Sequence, residues 1–136
     1  IMHEIIIAKD KTYSPLALYF LIDNNIEASN DEINNYFDIL INDINLDIEI
    51  KNLNIYKKDL FNSSFASENE ILTILKPILN SESIWKPHAL ILLGEYFIDK
   101  NQNQKATEFF NQILLIENAN EKLKKEARKR LISISG

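Results

Sequence analysis

The chain has no cysteine, two glycines and three prolines in 136 residues. Without cysteine there is no disulfide, no zinc–thiolate centre and no cysteine nucleophile. Scarce glycine and proline disfavour an all-β fold full of tight turns and favour helices. The two histidines, His3 and His88, cannot form a three-histidine zinc site, and no His-Glu-x-x-His pair occurs. The glycines are Gly94 and Gly136, too few for a phosphate-cradling loop or a Gly-x-Ser-x-Gly nucleophile elbow. No run reaches the roughly 18 apolar residues that cross a bilayer, and these residues show no signal-peptide pattern. The opening Ile1-Met2 reads as a piece of a longer protein or an added first residue, so an anchor upstream of Ile1 stays open.

What is present is apolar and acidic. Apolar residues make up 46% of the chain, enough for a core in about one domain. Ile and Asn are plentiful, so Asn often stands where Gly, Asp or Ala is usual. The formal charge is −5 and unevenly spread. Between Thr12 and Ile50 there is no Lys or Arg against eight acids, whereas the end of the chain carries Lys122, Lys124, Lys125, Arg128, Lys129 and Arg130. An acidic front and a basic tail suit a charged partner or a second copy. Two solvated helix faces are the plainer reading. Overall acidity argues against nucleic acid, and the basic tail is better suited to anionic headgroups if the chain is tethered.

Chemistry is hard to find. Asp43-x-Asn45-x-Asp47-x-Glu49 opens like a calcium loop, but Ile48 replaces the turn glycine and Asn54 the bidentate Glu. The pair Glu27/Asp31 lies at a capped helix start, where the helix dipole favours negative charge without any catalytic role. The expectation is therefore no enzyme, no metal and no cofactor.

The periodicity predicts an all-α chain. Residues 1–12 read as the remnant of a helix or a short extended arm. Ser14-Pro15 reads as an N-cap with Pro at the first helical position, opening a helix to about Asn25. Leu16, Tyr19 and Phe20 share helical spacing there. Ser29-x-x-Glu32 and Ser67-x-x-Glu70 are capping boxes for helices over about 31–43 and 68–80. The first of these turns Ile33, Phe37, Leu40, Ile41 and Ile44 inward. Pro77 should kink or shorten the second. The alternation of Ile44, Leu46, Ile48 and Ile50 suits a strand, but Ile50, Leu53, Leu60 and Phe61 extend it as a helix after Asp47, which is preferred. Three more helices follow over about 84–100, 103–117 and 119–134. Short connections make neighbours antiparallel. Adjacent aromatics cannot share a helix face, so one of Tyr96/Phe97 and one of Phe109/Phe110 should point outward. Tyr96 is the expected groove aromatic, and most other aromatics are expected in the core.

Residues 87–120 carry the most specific pattern. Leu90, then Leu93-Gly94, then Phe97 lie on one helix, and Ala106 and Phe110 on the next. Small residues let two helices approach closely and large ones fill the gaps around them. A lone Gly inside a helix costs about 1 kcal/mol relative to Ala, so Gly94 needs a packing reason. The spacing resembles a tetratricopeptide (TPR) repeat. Asn101 stands in the turn where the family favours Gly, Asn118 replaces the closing Pro, and Ile113 replaces the second small residue. The resemblance implies a TPR-like helical solenoid as a single domain over 1–136. Its parts are degenerate hairpins over 13–80, the clearest repeat over 84–117 and a capping helix over 119–134.

A narrower resemblance rests on Ser14-Pro15-Leu16-Ala17, on Ile74-Leu75-Lys76-Pro77-Ile78-Leu79 before Ser83-Ile84-Trp85-Lys86-Pro87, on Ala89 to Leu93 and Ala106, and on Glu126-Ala127-Arg128. These resemble the TPR-like domain of alphaproteobacterial membrane proteins, related to the ancillary subunit of the Sec translocon. The resemblance implies an N-terminal membrane helix ahead of this chain and a soluble domain on the periplasmic face of a bacterial inner membrane. A translocon subunit or an exported chain is the implied protein partner. The expected contact residues are His88, Tyr96, Lys122, Lys125 and Lys129. A cytoplasmic peptide-binding adaptor and a self-associating structural module are the alternatives.

Overall fold

In a computed structural model, residues 2–24 and 28–135 form eight α-helices and one π-helical turn, with no strand among these described residues. The expected helix end at Asn25, and Glu27 of the Glu27/Asp31 pair, lie outside them. By packing, the chain divides into two units, Ile1–Lys58 and Asp59–Gly136, where the sequence reads as one array.

The first unit holds α1 (Met2–Ile7), α2 (Tyr13–Asp23), α3 (Asn30–Asp38), a π turn (Ile39–Asp43) and most of α4 (Ile48–Asn62). Residues 2–7 are thus a helix rather than an extended arm. The α1–α2 corner corrects the reading of Ser14 as an N-cap. Lys9 is left-handed, at φ 60°, and its N–H donates to the Ile6 carbonyl at 3.1 Å. At such a helix end the next N–H would normally reach one carbonyl further back. Here the Ser14 hydroxyl is inserted between them. It accepts from the Asp10 N–H at 2.8 Å and donates to the Ile5 carbonyl at 2.8 Å. Ser14 is therefore buried within α2. The start of α2 is served by Asp10, whose Oδ1 accepts from the N–H groups of Thr12 and Tyr13 at 2.8 and 2.7 Å.

Helix α2 buries Ser14, Pro15, Ala17, Leu18 and Leu21. Leu16 and Phe20 are 56% and 45% exposed, and Tyr13 is exposed too, so these are not core residues. A helix apolar all round gives its inward face no signature of its own. In α3 the Ser29 hydroxyl accepts the Glu32 N–H at 3.1 Å, as its capping signature predicts. Ile33, Phe37, Leu40 and Ile44 are buried as expected, and Tyr36 joins them. His3 is held on α1 by a hydrogen bond with the Tyr36 hydroxyl.

The helix expected after Asp47 forms, but its face is turned. Asn52, Ile55, Asp59 and Asn62, spaced three, four and three apart, are buried along one side. Ile50 and Leu60 are 45% and 50% exposed. Asn54, on another side, accepts a hydrogen bond from the Tyr19 hydroxyl and donates to the Ile50 carbonyl at 2.9 Å.

The second unit holds the end of α4, then α5 (Glu68–Leu79), α6 (Lys86–Asp99), α7 (Asn103–Leu114) and α8 (Glu121–Ser135). Ser67 caps α5, accepting the Glu70 N–H at 3.3 Å. Pro77 lies inside α5, which ends two residues later at Leu79. Helix α6 is central, packed on α5 and α7, and α7 in turn packs on α8. The α6–α7 turn closes through Asn101 in the left-handed region, at φ 58°. Its N–H donates to the Ile98 carbonyl at 2.9 Å and that of Gln102 to the Phe97 carbonyl at 2.8 Å. This paired closure is a Schellman helix end, with Asn where Gly is commonest.

Candidate functional site: a groove at the open end of the α6–α7 hairpin

The start of α6 and the end of α7 lie at the same end of their hairpin, away from the Asn101 turn. Between the segment 81–88 and the segment 116–123 there is a groove of about 690 Å³. That is within the size range of ligand-binding clefts, about 300–1,000 Å³. One wall carries Trp85 and His88, with ring centroids 5.0 Å apart and planes tilted by 49°. The other carries Ile116, Ala119 and Leu123. Glu82 and Glu117 stand on the rim, against one cation in the lining, Lys86.

The sequence fixes the first wall locally. The Ser81 hydroxyl donates to the Ile78 carbonyl at 3.0 Å, closing the end of α5. The Ser83 hydroxyl accepts the Trp85 N–H at 3.1 Å, and the Lys86 N–H donates to the Ser83 carbonyl at 3.1 Å. Serine side chains that bond the backbone two residues on hold such turns without glycine. Pro87 then occupies the first turn of α6, where its missing N–H is harmless.

The residues singled out in the sequence separate into three places. Leu90, Leu93, Gly94, Phe97, Ala106 and Phe110 are all buried between α6 and its neighbours. A Cβ on Gly94 would stand 2.6 Å from Cε1 and 2.8 Å from Cε2 of Phe110, so the ring lies flush against the bare backbone. His88 lines the groove. Lys122, Lys125 and Lys129 are exposed along one side of α8. They are outside the groove and form no ion pair among the described residues. Arg130 differs, bonding Glu95 at 2.9 Å and Glu126 at 3.1 Å.

Tyr96 is a correction. It is buried, not a groove aromatic, and its hydroxyl donates to the Ala66 carbonyl at 3.1 Å. Phe97 beside it is buried as well. A helix packed on two sides buries a wider arc than one stripe, so adjacent residues can both be inside. The pair Phe109/Phe110 does divide, with Phe109 half-buried and stacked on Phe97 at 5.5 Å.

Among the described residues no cluster of three His, Cys, Asp or Glu side chains is placed to hold a metal ion. No described helix is long and apolar enough to cross a membrane. No protein-family model, curated protein or solved structure matches this chain.

One titratable residue escaped the sequence reading. Asp59 is wholly buried near the end of α4. The stripe of Ile50, Leu53, Leu60 and Phe61 pointed to the opposite face, and a lone Asp among lysines gives no signal of burial.

Proposed function

We propose that this chain is a non-enzymatic, TPR-like protein-interaction domain whose groove takes an apolar peptide segment bearing a basic residue. One observation carries the reading: Gly94 with the Phe110 ring closed over it, in a hairpin whose open end forms a groove walled by Trp85 and His88. Glu82 and Glu117 outnumber Lys86 around that groove, which favours a cationic residue in the occupant.

The family resemblance extends this proposal to a domain on the periplasmic face of a bacterial inner membrane, beside the Sec translocon or the envelope assembly machinery. Its partner is then a translocon subunit or an exported chain. No nucleic acid and no cofactor enter the reading. Lys122, Lys125 and Lys129, in no ion pair among the described residues, favour a second reading, in which they meet the acidic stretch of another copy.

Trp85 is the chain's single tryptophan, so its fluorescence reports the groove directly. Apolar peptides carrying Lys or Arg should shift the Trp85 emission, and the same peptides carrying Glu should not. Equal shifts, or none, remove the groove from the proposal. Membrane fractionation with protease protection of the full-length protein tests the location. Cleavage of this domain only after the outer membrane is opened supports the periplasmic reading, and a soluble cytoplasmic protein replaces it with the adaptor. Dimerisation that disappears at high salt favours self-association.

A further inference from the structure

Asp59 is 0% exposed, and among the described residues neither carboxylate oxygen has a hydrogen-bond partner. Three other buried polar side chains are served: Ser14 by Ile5 and Asp10, Asn52 by Glu49, Asn54 by Tyr19. A buried carboxyl without donors is tolerable only while it holds its proton.

Lys57 and Lys58 on its own helix, and Lys105 on α7, are engaged elsewhere. The Tyr96 phenol on α6 is close enough to feel the Asp59 charge, but its proton goes to the Ala66 carbonyl. Glu68 and Glu70, in the first turn of α5, add negative charge around the same phenol. On α4 itself, Lys58 is bound to Asp38 at 2.8 Å and Lys57 lies 4.5 Å over the Tyr19 ring. Lys105 is bound to Glu68 at 2.7 Å. Burial, offset by no ion pair or hydrogen bond among the described residues, pushes the Asp59 carboxyl up to about 8.

Three residues beyond Asp59, α4 ends. The N–H groups of Phe65 and Ala66 fold back onto the Asn62 carbonyl at 3.1 and 2.9 Å, and Tyr96 pins the Ala66 carbonyl. We infer that Asp59 is a proton-held latch on the α4–α5 turn. Protonated, it lets the turn close against Tyr96. Losing the proton requires water at the carboxylate, and water enters only when residues 63–66 lift and the Tyr96–Ala66 hydrogen bond breaks. The step is one proton released to solvent per opening.

Hydrogen exchange by mass spectrometry on the whole chain, from pH 5 to 9 and corrected for the intrinsic rate, tests this. In the wild type the opening of residues 63–67 should grow about tenfold per pH unit up to about pH 8 and then level off. In Asp59→Asn it should not change with pH. Flat wild-type opening, or the same rise in Asp59→Asn, overturns the latch. Should Asp59→Asn fail to fold, a carbon NMR titration of the Asp59 carboxyl in the wild type decides. Titration well above the ordinary carboxylate range supports the latch, and titration within it removes the latch.

Discussion

The Phe110 ring lies against the bare backbone of Gly94, where a Cβ would meet three of its carbons at less than ordinary van der Waals distance. Phe110 is fully buried, so the ring can yield only by disturbing the side chains packed around it. Replacing Gly by Ala in a helix would otherwise gain about 1 kcal/mol. Overpacking a closed core costs about 1–3 kcal/mol. Gly94→Ala should therefore destabilise the protein by up to about 2 kcal/mol in a urea titration. Adding Phe110→Leu should recover part of the loss, and strict additivity of the two would show that they do not interact.

Ser14→Ala removes one hydroxyl but leaves two backbone groups unserved, the Asp10 N–H and the Ile5 carbonyl. A fully buried group without a partner costs about 1–3 kcal/mol, and these two are partly buried. The expected loss is about 1 kcal/mol by chemical denaturation. A change within error would mean that water replaces the hydroxyl at the α1–α2 corner.

Lys9 and Asn101 both adopt positive φ, and they should respond differently to Gly. The left-handed conformation costs an ordinary L-residue about 1–2 kcal/mol, and Asn tolerates it better. Part of the gain from Gly is lost to the greater freedom of the unfolded chain. Lys9→Gly should raise stability by about 0.5–1 kcal/mol, and Asn101→Gly should be near neutral. The exposed Lys9–Asp43 pair, at 3.6 Å, is too weak to reverse this. Thermal melts of the two variants would show the order, and a larger gain at Asn101 would contradict it.

Asp59 gives the protein a pH dependence of unusual sign. Its carboxyl stands at about 8 when folded against an ordinary 3.8, so the folded state holds a proton that the unfolded chain has released. The contribution is complete below about pH 4 and is lost as pH rises toward 8. Stability should fall through that window with a slope of up to about 1.4 kcal/mol per pH unit from this group. Asp59→Asn should remove that component. Equal slopes in urea titrations of both proteins, at several pH values, would place the cause elsewhere.

Much of this fold was legible before any coordinates. Ser29 and Ser67 each cap the helix that their spacing announced, because a capping hydroxyl acts within three residues of itself. The turn at Asn101 and the burial of Leu90, Leu93, Gly94, Phe97, Ala106 and Phe110 were readable for a similar reason. A Gly, a small residue and large apolar residues at fixed offsets constrain how two consecutive helices meet. The groove was less visible, since Trp85 and His88 meet Ile116 and Leu123 only once the hairpin has closed.

The sequence by itself determined an all-helical chain, where most helices begin and end, and the close contact at Gly94, because caps, turns and heptad-scale spacing are local physics. Tertiary structure decided which way α2 and α4 face, why both Tyr96 and Phe97 lie inside, and that Asp59 is buried. A helix with apolar residues all round, or with two competing stripes, carries no unique inward direction. Only the neighbours it packs against select one.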